Sequence, residues 1–134
     1  MSPTRQTLAN LLEQLNSSER KLFPRRREVL DAPRMHGVYL ILDPEIQVNH
    51  VGRTITGKNG LHQRLNNHLH GASSFVSQYL RKTLNKTGDS LRDGWSYQYL
   101  CVHDDRERAL LECIATAWHR PKHLGLGGKT DDAA

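Results

Sequence analysis

The chain has 134 residues, 37% hydrophobic and 25% charged, with a formal net charge of +5 when its eight histidines are neutral. That length makes one domain, able to bury a core without disulfide or metal staples, and no apolar run approaches the ~20 residues that cross a bilayer. The two cysteines, Cys101 and Cys113, sit in apolar-patterned segments and form no spaced framework, which fits a reduced cytoplasmic protein better than a secreted one, as does a start without the basic-then-apolar layout of a secretory signal.

Residues 4–15 put Leu8, Leu11, Leu12 and Leu15 on one face at helical spacing. Asn16-Ser17-Ser18-Glu19 reads as a capping box that opens a second short helix, which Pro24 interrupts. Arg25-Arg26-Arg27 follows, a candidate contact for a nucleic-acid backbone and equally a solvated face. Residues 1–33 are therefore expected to form an N-terminal helical extension packed on the core. Its leucines would pack internally or offer a dimer face.

Residues 38–42 and 47–51 read as strands, with Asp43-Pro44 marking the turn. A helix over 60–70 carries Leu61, Leu65 and Leu69, and Ser73 or Ser74 caps another with Phe75, Val76, Tyr79, Leu80 and Leu84, closed at Gly88. Trp95, Tyr97, Tyr99 and Cys101 alternate with their neighbours as a third strand. Asp104-x-x-Glu107 caps a last helix to about 119, whose stripe is Leu110, Leu111, Ile114, Ala117 and Trp118. The expected fold is an α/β (α+β) layer structure: a small three-stranded, mainly antiparallel sheet flanked by helices, spanning 34–126, with a Gly-rich flexible tail over 127–134.

A loop of 43–46 would set Leu42 opposite Gln47 and Tyr39 directly opposite His50, neighbours on one sheet face. A one-residue slip would turn one strand over and separate them. Taken alone, the pair is as well an aromatic–histidine contact with no chemistry.

Two other patterns carry less. Gly52-Arg-Thr-Ile-Thr-Gly-Lys-Asn59 nearly spells a phosphate-binding P-loop, but Asn59 stands where a hydroxyl must reach Mg²⁺. Arg53 and Lys58 within it remain candidate phosphate contacts. Cys101, His103, Cys113, His119 and His123 include no close Cys pair of the kind structural zinc uses, and Cys113 reads as a core helix residue.

In order, Gly37-Val38-Tyr39, His50-Val51-Gly52, Arg64 in a helix, and Glu112 in a later helix with Pro121 beyond it resemble the GIY-YIG endonuclease superfamily over about residues 37–124. His68, one turn after Arg64, has counterparts in some branches. Two positions depart: His50 replaces the second Tyr, and Leu124, beside His123, replaces an Asn. The resemblance implies a metal-dependent endonuclease that hydrolyses phosphodiester bonds in DNA, with RNA the weaker candidate substrate. The alternative it leaves is a weakened or inactive module that binds nucleic acid or a protein partner.

The implied catalytic set is Tyr39, His50, Arg64, His68 and Glu112. Glu112 would hold one divalent metal, Mg²⁺ or else Mn²⁺; by spacing alone it could instead pair with Arg108 one turn back. Arg64 would neutralise phosphoryl charge with its donor fork, or form a boundary salt bridge. Tyr39 contacts the attacking water, and His50, with an ordinary pKa of ~6.5 against ~10 for Tyr, shares or leads its deprotonation. His68 would orient the phosphate or serve the leaving group. So small a domain needs a homodimer, a specificity-giving partner protein, or low sequence preference.

Overall fold

Alternating apolar residues send successive side chains to opposite faces of a strand, and in a computed structural model, which describes residues 4–124, both sheet faces are covered. The elements are α1 (Arg5–Asn16), β1 (Lys21–Leu22), β2 (Gly37–Leu42), β3 (Val48–Arg53), α2 (Gly60–Leu69), a π-helical segment Phe75–Leu80, a 3₁₀ turn Gly88–Arg92, β4 (Ser96–Cys101) and α3 (Asp105–His119). The sheet order is β1-β4-β2-β3, and every pairing is antiparallel. The expected α+β class holds, with four strands rather than three among the described residues. The tail expected over 127–134, and the last residues of the expected domain, lie outside the described residues.

On one face Tyr39, Ile41 and Tyr97 pack under Leu61, Leu65 and Leu69 of α2 and Phe75, Val76, Tyr79 and Leu80 of the π-helix. On the other, Val38, Leu40, Leu42 and Val51 pack under Leu12 and Leu15 of α1 and Leu111 and Ala115 of α3. Leu12 and Leu15 of α1 are thus spent inside the protein, with the half-buried Leu11 packed against the same cluster. No helix among the described residues is long and apolar enough to cross a membrane.

The second helix expected after α1 does not form. Ser17 Oγ donates to Glu13 O (2.8 Å) and Ser18 Oγ to Leu15 O (2.6 Å), so these hydroxyls close α1 by filling its last carbonyls. The chain then extends, and Lys21 and Leu22 join the edge of β4. The last helix does start as expected, with Asp104 accepting from Glu107 N–H at 2.8 Å. Its inward face is Arg108, Leu111 and Ala115, and Trp118 is 67% exposed. Both cysteines are also exposed, contrary to a core place for Cys113.

The β2–β3 hairpin departs from the expected register twice. Asp43 N–H bonds Gln47 O at 2.9 Å, so the loop is one residue longer than expected, and the Asp43 carboxylate gathers the N–H groups of Glu45 and Gln47. A bulge at Asn49 then adds a second residue: Leu42 pairs with Val48, but Ile41 pairs with His50 and Tyr39 with Gly52. Two one-residue shifts restore facing, so Tyr39 and His50 share a face as diagonal rather than direct neighbours.

Candidate functional site

Tyr39 is fully buried, and its ring lies across Gly52 of the facing strand. A Cβ at Gly52 would overlap the Tyr39 hydroxyl and ring, so the glycine is what lets the phenol lie there. Gly37 answers a similar need, since a Cβ there would meet Leu100 O and the Leu61 side chain.

Five rings meet around this point: Tyr39, His50, His68, Phe75 and His123. Tyr39 Oη lies 2.7 Å from His68 Nε2, and His68 Nδ1 lies 2.7 Å from Ser73 Oγ, which also accepts the Val76 N–H. The His50 ring is 5.9 Å from Tyr39, 5.3 Å from His68 and 4.9 Å from Phe75, on which it stacks. His123, one of the weak zinc candidates by sequence, belongs here instead: its Nδ1 is 2.9 Å from His50 Nδ1, its Nε2 is 3.1 Å from Gln78 Oε1, and its backbone N–H bonds Asn49 O. Gln78 carries no sequence signal of this role. Only the wide turn that carries it, and the bulge that turns the Asn49 carbonyl to His123, bring these groups together.

The electrostatics follow from burial. Burial pushes the Tyr39 phenol up to about 12, against a smaller opposing pull from Arg64, so it stays protonated at neutral pH. His68 is pushed down to about 3, chiefly by burial and then by Arg64 and His123. Burial, then His68, His123 and Arg64, hold His50 well below the usual imidazole range. His50 is therefore neutral and able to accept a proton, but it is a weaker base than the ordinary imidazole expected of it.

Arg64 lies at the rim of this cluster and lines a cleft of about 460 Å³ with Arg53, Lys58, Asn59, Gln63 and Asn67. Glu112, on α3 at the other face of the sheet, does not line this cleft and connects to it through Arg53. It does not pair with Arg108. It pairs with Arg53, whose Nη1 donates to Glu112 Oε1 at 2.6 Å, and its charge is felt at Tyr39. Arg108 is buried instead, donating to the carbonyls of Thr54 (2.8 Å), Val102 (3.0 Å) and His103 (3.1 Å). Thr54 also takes the Gly37 N–H on its hydroxyl, which fixes the start of the cleft loop.

The structure thus brings together Tyr39, His50, His68 and Arg64, with Glu112 joined through Arg53 and Lys58 on the cleft wall. It does not bring Arg25, Arg26 and Arg27 there: all three are exposed, Arg26 pairs with Asp89, and none lines the cleft. Among the described residues no group of three or more His, Cys, Asp or Glu is placed to hold a metal ion. The donor set still suits Mg²⁺, which takes one or two carboxylates and completes its shell from phosphate oxygens and water. Glu112 could offer it Oε2, the oxygen that the Arg53 contact does not use.

Compared with models of known protein families and with characterised proteins, the sequence matches none.

Proposed function

We propose that the chain is a GIY-YIG-like endonuclease that hydrolyses phosphodiester bonds in DNA with a divalent metal, Mg²⁺ or Mn²⁺. The observation that supports this best is a cleft walled by Arg53, Lys58 and Arg64, with the Tyr39–His68–His50 cluster buried behind Arg64 and Glu112 of α3 paired to Arg53. Arg64 presents its fork to the phosphoryl oxygens, and Arg53 and Lys58 hold the flanking backbone. Tyr39, protonated and beside His68, donates a hydrogen bond to the attacking water or the phosphate. His50, neutral, accepts the proton that the water loses. A metal held on Glu112 would supply Lewis-acid polarisation of the phosphate and charge for the leaving oxygen.

A catalytically inactive binding module is the second reading. Two observations favour it: Glu112 is already neutralised by Arg53, and Tyr39 and His50 are 0% and 4% exposed. A plasmid-nicking assay with Mg²⁺ separates the two. The expected result is metal-dependent nicking that Arg64→Ala and Glu112→Ala each abolish. Nicking unchanged by both substitutions would put the site elsewhere, and binding without any nicking would favour the module. Competition between DNA and RNA substrates tests the choice of DNA. In this reading the protein works in the reduced cytoplasm, and a homodimer or a partner protein supplies sequence preference.

A further inference from the structure

His50 uses one ring nitrogen and leaves the other bare. Its Nδ1 faces His123 Nδ1 at 2.9 Å, while its Nε2, fully enclosed, meets no hydrogen-bond partner among the described residues. Two neutral imidazoles that share one hydrogen bond must place exactly one proton between them. Which ring supplies it is decided at the far end of the chain, where His123 Nε2 faces the amide oxygen of Gln78 at 3.1 Å.

An amide oxygen only accepts, so His123 Nε2 carries the proton. His123 Nδ1 is then a lone pair, the proton in the shared bond is His50's, and His50 Nε2 has none. In the opposite order the Gln78 amide nitrogen would donate to His123, and His50 would bury an Nε2–H with no acceptor. An orphaned buried N–H is rarer in folded proteins than an under-used acceptor. Stacking of His50 on Phe75 and on His123, at interplanar angles of 29° and 27°, keeps the ring from turning over to exchange its nitrogens.

We propose that Gln78 and His123 are positioning residues that fix His50 as its Nδ1–H tautomer, so that the enclosed Nε2 keeps a bare lone pair able to accept a proton. The tautomer is a property of the folded chain. Its use in taking a proton from water rests on the proposed phosphodiester cleavage.

The test is a two-bond ¹H–¹⁵N correlation spectrum of the full ¹⁵N-labelled chain at neutral pH, which reads the proton on each imidazole nitrogen. His50 is expected to carry its proton on Nδ1. In His123→Asn the amide oxygen falls where Nδ1 was and still accepts, so the tautomer is kept. In His123→Leu, and separately in Gln78→Leu, His50 should shift toward the Nε2–H form. A wild-type His50 protonated on Nε2 would overturn the proposal, as would an unchanged Nδ1–H form in both leucine variants. If His123→Leu fails to fold, the wild-type, Gln78→Leu and His123→Asn spectra still decide it. In the nicking assay the leucine variants should lower kcat at least about tenfold with KM unchanged, and His123→Asn should restore it. A chain that never nicks DNA but shows the Nδ1–H form refutes the enzyme and leaves the tautomer standing.

Discussion

Acidification should unfold this protein through its buried imidazoles, and His68 allows the size to be worked out. Its pKa falls from about 6.5 in the unfolded chain to about 3 in the folded one. Between those values the unfolded state binds one more proton than the folded state, so stability rises with pH there, by about 1.4 kcal/mol per unit. The contribution is complete above pH ~6.5 and is lost as pH falls toward the folded value. From pH 7 to pH 5, His68 alone should remove about 2 kcal/mol, and His50 acts in the same direction. The assay is urea denaturation at pH 7, 6 and 5 for the wild type and for His68→Gln, which keeps polar groups beside Tyr39 and Ser73 but does not titrate. The wild type should lose about 2 kcal/mol more than the variant over that range. Equal losses would mean that His68 protonates freely in the folded state, and the account of its burial would fail.

Gly52→Ala should cost about 2–3 kcal/mol, because the new methyl meets a ring that cannot yield; in a Tyr39→Val background the same change should cost under about 1 kcal/mol. A full cost in both backgrounds would show that Tyr39 is not the obstacle. Trp118→Ser, at a position 67% exposed, should change stability by less than about 0.5 kcal/mol in thermal melts. A loss near 3 kcal/mol would return Trp118 to the core.

How far the sequence could be read depended on how local each signal was. The apolar run of β2, the alternation in β4 and the leucine spacing of α1 and α2 needed no partner to be visible. The facing of Tyr39 and His50 came out as expected by compensation: the longer loop and the Asn49 bulge each shift the register by one, and either alone would have parted the two residues. The alternation pattern showed neither shift, because the Asp43 carboxylate and the carbonyl paired with His123 make them through side-chain and distant bonds. Ser17 and Ser18 misled for a related reason, since a hydroxyl ends a helix as readily as it begins one. On α3, charge hid the true inward face. Arg108 is buried only because three carbonyls from outside the helix receive it, and with Arg108 inward the helix rotates Trp118 and Cys113 to the outside. Glu112, freed from Arg108, then meets Arg53.

The cleft sits over the rim of the sheet. Tyr39 and His50 project into the layer beneath α2, while Arg53, paired across to Val38, projects into the layer beneath α3 and holds its carboxylate. Those two oily slabs lie on opposite sides of the strands that divide them. A guest that grips Arg64 from one side and Arg53 from the other would act as a clasp. It would stabilise the fold by mass action, by about 2.7 kcal/mol at a hundred times its dissociation constant, and would make the two slabs come apart together rather than in turn.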